Sequence, residues 1–280
     1  MQFPRTTVAG VSMPRMLIGT NWLLGWSHKS PAADAGIKEA YQKPEDFFPV
    51  FEAYMSHGID AVMGVLAEKR FELALDYAQE KLGRGMIVID TPCLDLSDSK
   101  EARAACEAHI KWAAAKGAKF CLLHHSSVEK LVNKGSETIE RLDDYTKMIR
   151  DAGMIPGLSC HMPELVLYSD SQGYDVETYI QIYNPMGFLM QVEVEGVARI
   201  INHAKKPVMT IKPMAAGRCT PYIGLNFVYN TIRERDMVTV GVNNAREAYE
   251  DIEIALAAIE RRWPNLEGRA SPAKQRVLEG

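Results

Sequence analysis

The chain reads as an α/β protein, a (β/α)8 TIM barrel with a short N-terminal β-hairpin, on three observations. Short apolar runs alternate with helical stretches along the chain, and most of those runs end in polar residues. The first run ends in Gly19-Thr20-Asn21-Trp22, which is not the glycine-rich fingerprint a doubly wound sheet would carry. The stretch Lys119 to Ser127 shows the pattern best. Its apolar run, bounded by Gly117, stops at His124, His125, Ser126 and Ser127, as a strand buried on both faces does where its end opens into a polar site.

The elements follow in order. Arg5 to Pro14, with Ala9-Gly10 between β-prone pieces, predicts the hairpin, and Arg15 to Asn21 the first barrel strand. Trp22 to Lys43 is a loop rich in Gly, Trp, Ser and Pro, long enough to point to function or mobility. Pro44 to Ser56 places Phe47, Phe48, Phe51 and Tyr54 at helical spacing. Strands are then expected over Gly58–Val65, Gly85–Pro92, Lys119–His124, Met154–His161, Tyr179–Asn184, Pro207–Lys212 and Met237–Val242. Helices are expected over Ala67–Leu82, Ser97–Ala115, Ser136–Asp151, a short piece after Pro163, Gly196–Ala204, Tyr222–Arg233 and Ala245–Arg262. Residues 1–280 therefore read as one barrel domain, with a polar tail over 264–280 that caps the barrel or frays.

Composition narrows the function classes. A net charge of −4 gives no electrostatic case for nucleic acid or an anionic membrane. No apolar run approaches the length of a membrane span, and Met1 to Gly10 lacks the pattern of a signal peptide. The five cysteines are scattered and form no C-x-x-C pair, which predicts reduced thiols and a cytoplasmic location.

Active sites of such barrels lie at the C-terminal ends of the strands. Those ends carry Thr20 and Asn21, Met63 and Gly64, Asp90, His124 and His125, Cys160 and His161, Tyr183 and Asn184, Lys212, and Asn243 and Asn244. Asp90, His124 and His161 fall on three successive expected strands. They could converge as an oxygen and two nitrogens around a divalent metal, or act without metal as general acid and base. Asp90 could equally cap a turn before Thr91-Pro92. Neighbours on a strand face opposite ways, so only one of His124 and His125 is expected to point inward. Lys212 is a candidate Schiff-base lysine or an ion-pair partner. His57, His109 and His203 read as solvated. Gly217-Arg218 and Asn243 form a second group, suited to a phosphate at the last two loops or, more blandly, to a turn glycine and surface polar residues.

The chain resembles the aldo-keto reductases over most of its length. The matching pieces are Ile18-Gly19-Thr20, Gly58-Ile59-Asp60, Leu122-Leu123-His124, Gly157 through His161, Gln181 through Pro185, Lys212 through Gly217, and Gly241-Val242-Asn243. The resemblance implies the barrel and an NAD(P)-dependent carbonyl reduction. Of the family's Tyr, Asp, Lys and His group, only the histidine is carried over, onto His124. Met63-Gly64-Val65, Glu68 and Pro92 stand at the other three places. Ser159 and Gln181 match nicotinamide-amide contacts, and Thr20, Gly217, Arg218 and Asn243 complete the expected cofactor-binding residues. Glu247, Glu250 and Asp251 stand at the adenosine end, where carboxylates would repel a 2′-phosphate.

The expected function is an enzyme of isomerase, lyase or hydrolase type, acting on a small polar carbonyl or sugar-like substrate by acid–base chemistry, metal-assisted or not. One alternative is an NAD(P)-dependent oxidoreductase whose proton donor is His124 or Glu68. A second is a non-catalytic metabolite-binding or interaction protein. Trp22, Leu23, Leu24 and Trp26 in the first long loop read as an exposed apolar patch, either a lid or the contact of a homo-oligomer.

Overall fold

The structure is a computed structural model and describes residues 2–266. It opens with β1 (Arg5–Val8) and β2 (Val11–Pro14), an antiparallel hairpin turning on Ala9 and Gly10 at φ 48° and 80°. Two positive φ angles at a two-residue turn match the right-handed twist of the strands. There follow β3 (Met16–Gly19), α1 (Pro31–Ala40), α2 (Pro44–Ser56), β4 (Ala61–Gly64), α3 (Lys69–Leu82), β5 (Ile87–Asp90), α4 (Lys100–Ala115) and β6 (Ala118–Leu123). A four-residue turn of helix, α5 (His125–Val128), leads to a small hairpin of β7 (Val132–Asn133) and β8 (Thr138–Ile139). The chain continues through α6 (Leu142–Asp151), β9 (Ile155–Cys160), α7 (Glu164–Gln172), β10 (Tyr179–Ile182) and α8 (Val194–His203). It finishes with β11 (Val208–Ile211), α9 (Pro221–Thr231), β12 (Met237–Val240) and α10 (Ala245–Glu260).

β3, β4, β5, β6, β9, β10, β11 and β12 pair in that order, every pair parallel, and β12 closes on β3. This is the expected (β/α)8 barrel with its N-terminal hairpin. α1, α5 and the β7–β8 hairpin were not foreseen. α1 lies inside the long first loop, started by Ser30, whose side chain accepts from Ala33 N. The β7–β8 hairpin takes the first residues assigned to the helix over Ser136–Asp151, which begins only at Leu142. The expected tail is described only to Leu266; its remainder lies outside the described residues.

Strand alternation sorts side chains into two cores. Leu17, Ile89, Phe120, Leu122, Met209 and Met237 fill the barrel interior, and Val8 and Met13 of the hairpin join them at zero exposure. The opposite faces, including Ile18, Val88, Cys121, Cys160, Tyr179 and Val238, pack under the helices. Among the described residues no helix is long and apolar enough to cross a membrane.

Candidate active site

Above the filled interior lies a cavity of about 820 Å³. Strand parity decides which end residues reach it. Leu122 points inward, so His124, two residues on, does too, and it lines the cavity. His125 lines it as well, against expectation. β6 has ended at Leu123 and His125 already belongs to α5, so strand alternation no longer applies. The His124 side chain caps this short helix: Nδ1 lies 2.8 Å from Ser126 Oγ and accepts from Ser126 N. His161 follows Ser159 on the inward side of β9, and both line the cavity. The rings of His125 and His161 stack with centroids 3.5 Å apart, and those of His124 and His125 are 4.3 Å apart.

Glu129 underpins the stack. Its Oε1 accepts from the backbone N–H groups of His161 and Met162, both at 2.7 Å, and its Oε2 lies 3.9 Å from His125 Nδ1. Burial pushes the Glu129 carboxyl up, but the nearby His125 ring and the hydrogen bonds from the Met162 and His161 backbone outweigh it and hold the carboxyl below its ordinary value. Burial pushes His161 down to about 2, helped by His125, Lys212, His124 and His28. Burial likewise brings His124 to about 4, with His125 and Lys212 adding to the effect. Both rings are thus neutral at pH 7, able to donate one N–H and accept at the other nitrogen.

Asp90 does not join them, and the proposed metal set of Asp90, His124 and His161 is not assembled. Ile89 points inward, so Asp90 points outward into the helix layer, where it is fully buried. Its Oδ1 accepts from Leu66 N at 2.9 Å, and its Oδ2 lies 2.9 Å from His109 Nε2 on α4. His109, with a side chain only 17% exposed, is therefore a structural partner and not a solvated residue. Among the described residues no group of three His, Cys, Asp or Glu side chains is placed to hold a metal ion.

Gln181 also departs from expectation. Ile180 faces the cavity, so Gln181 faces away from it, fully buried, with Nε2 directed at Ile182 O and Oε1 without a partner among the described residues. Thr20 lines the cavity and its hydroxyl donates to Met63 O at 3.0 Å. Gly217 (φ 79°), Arg218 and Asn243 line it too. The Arg218 guanidinium donates to Ala215 O and stacks 3.8 Å over the Phe188 ring. The Asn243 backbone N–H and side chain both donate to the Glu247 carboxylate, and Tyr41 OH donates to Asn243 O. Glu247, Glu250 and Asp251 line the same end of the cavity. Burial, then the charge of Glu247, pushes the Asp251 carboxyl up to about 7.

Sequence reasoning missed His28 and Lys29, which reach the cavity from the first loop alongside Trp22 and Trp26. Lys29 Nζ sits 5.4 Å from the Trp22 ring centroid and beside Gly217. The signal was present as a His-Lys pair in a tryptophan-bearing loop too long for a mere connection.

With this geometry in view, comparison with solved structures is informative about the barrel. The chain superposes on a thermostable aldo-keto reductase with a TM-score of 0.62 at 10% identity, covering 100% of this chain and 99% of that one. A Pseudomonas aeruginosa protein designated an aldo-keto reductase gives 0.66 at 14% identity, with 91% and 95% covered. One from Brucella melitensis gives 0.56 at 11%, with 93% and 98% covered. These structures share the eight-stranded parallel barrel of this chain, and the likeness is one of fold. No protein-family profile and no curated protein matches the chain. Identities this low establish the fold and leave the chemistry to the site.

Proposed function

We infer that the chain is an oxidoreductase-type barrel enzyme that uses a nicotinamide dinucleotide, with NAD favoured over NADP, on a small polar carbonyl or sugar-like substrate. One observation carries the reading. A single cavity joins a neutral imidazole cluster at one end to a cationic glycine turn and then to three carboxylates.

The residues fit such a cofactor by their chemistry. Gly217 leaves its backbone bare beside Lys29 and Arg218. Among the described residues neither cation forms an ion pair with a carboxylate, so both remain available to a diphosphate. Thr220 and Pro221, at the N-terminal end of α9, border the same region and add the positive end of a helix. Glu247, Glu250 and Asp251 suit ribose hydroxyls and are ill matched to a 2′-phosphate. Gln181 cannot reach a nicotinamide amide from its outward face, which leaves Ser159 as the expected contact there.

When bound, the cofactor would supply or accept hydride. The chain's own part is to hold the carbonyl and stabilise the charge that develops on its oxygen. Neutral, half-buried His124 and His161 supply N–H donors, and a neutral imidazole is an effective electrophile. Their low affinity for protons keeps them in that form across the neutral range.

Calorimetric titration with NADH and NADPH tests the reading. NADH should bind and NADPH bind about tenfold more weakly, with Arg218→Ala weakening both by about tenfold. Absence of binding by either dinucleotide at millimolar concentration would overturn it.

A further inference from the structure

The geometry points to a covalent activity beyond the redox reading: Lys212 is an imine-forming amine for a small aldehyde or ketone bearing an anionic group. The argument begins with parity. On β11, Met209 faces the barrel interior and Ile211 packs against it, whereas Val208 faces the helices. By alternation Lys212 belongs on the outer side with Val208. It lines the cavity instead, next to Ile211, which also lines it. Two successive residues on one side are reached because Lys212 adopts φ 59°, a left-handed conformation that a lysine preceding a proline has no intrinsic reason to take. Ala215, Ala216 and Gly217 are left-handed too, at φ 51°, 56° and 79°. Strain concentrated in one turn persists only where the surroundings impose it, and its effect here is to swing a single amine into the site.

The amine's company is equally specific. The titratable groups facing it are His28 from the first loop, His124 from the end of β6 and His161 from the end of β9, together with Arg218 in its own loop. Among the described residues no carboxylate forms an ion pair with Lys212. A surface lysine or a structural ion pair would be arranged otherwise. Burial alone brings the Lys212 ammonium down to about 8, which leaves on the order of a tenth of it as free amine at pH 7.

The step balances within the site. Nζ attacks the carbonyl carbon and a C–N bond forms. The nitrogen proton passes to a neutral imidazole, His161 or His124, while the carbonyl oxygen takes back from solvent the proton that the ammonium had released, giving a carbinolamine. The nitrogen lone pair then forms C=N as the C–O bond breaks. The imidazole returns its proton to the departing hydroxyl, which leaves as water. Arg218 and Lys29 lie on the same wall to receive the substrate's anionic group.

Borohydride trapping tests the inference without any nicotinamide, so its outcome is separate from that of the dinucleotide titration. The full chain is incubated with glyoxylate or pyruvate, reduced with sodium borohydride, and read by intact mass and peptide mapping. The expected result is a single adduct, located at Lys212. It should be lost in Lys212→Arg and in Lys212→Gly, the latter being the residue best suited to the turn, and slowed by about tenfold in His161→Gln. The trapping rate should rise with pH through about 8. Adducts spread over surface lysines, or a dominant adduct that survives in both folded Lys212 variants, would overturn it. Circular dichroism establishes that the variants are folded.

Discussion

Asp90 shows how a single carboxylate that looks catalytic in sequence can belong to the scaffold. It is fully buried and bound by Leu66 N and His109 Nε2, so Asp90→Ala leaves two donors without their acceptor. We expect a loss of about 2–4 kcal/mol in urea unfolding, with no change in metal content. The buried imidazoles give a second prediction. His124 and His161 hold protons less tightly when folded, at about 4 and about 2, than the ordinary 6.5 of an exposed ring. In the unfolded chain they take up protons as the pH falls below 6.5, while the native rings stay neutral, so the native state loses stability. Their contribution is thus fully present above pH 6.5 and declines towards pH 4, with His161 continuing to about 2. Urea unfolding over that range should show a slope that His161→Gln reduces. Lys212 is the opposite case of a residue the site needs and the fold does not. Lys212→Gly removes a desolvated charge and a strained φ and should stabilise the chain by about 1 kcal/mol.

The turn after β11 is fixed by an element packed against it. Gly224 on α9 lies so close that an added Cβ would meet Pro213 O at 2.5 Å and Met214 Cα at 3.2 Å. α9 therefore rests directly on the backbone of the Lys212 turn. Gly224→Ala must push the two apart, which we expect to cost about 1–3 kcal/mol and to lower the yield of the Lys212 adduct along with it. The N-terminal hairpin is a second such case. Met13 is fully buried in the barrel interior, and Met13→Ala should cost about 2–4 kcal/mol in thermal or chemical unfolding while leaving dinucleotide binding intact. Elements of this kind differ in how far the sequence exposes them. The barrel strands are readable because strands buried on both faces appear as unbroken apolar runs, as Cys121, Leu122 and Leu123 do. α1 escapes notice because none of its residues is buried, so no apolar stripe marks it. Asp90 and Gln181 could have been placed by counting parity from Ile89 and Ile180. Lys212 could not, because parity gives the wrong side and only the backbone angle restores it.

At the scale of the whole molecule, the charge pattern of the cavity separates its two tasks. Lys29, Lys212 and Arg218 gather near the imidazoles and the glycine turn, and Glu247, Glu250 and Asp251 stand at the α10 end. Binding of an anionic ligand at the cationic end should weaken with added salt. A second consequence comes from the solid interior beneath the cavity. With Val8 and Met13 fully buried below and Leu17, Ile89 and Phe120 packed above them, the barrel offers no exit through its floor. The cavity is a blind well, and anything lodged across its opening imprisons whatever lies deeper. Traffic is last in, first out. Entry and release of any ligand should therefore both run past the first loop, where Trp22, Trp26, His28 and Lys29 line the cavity.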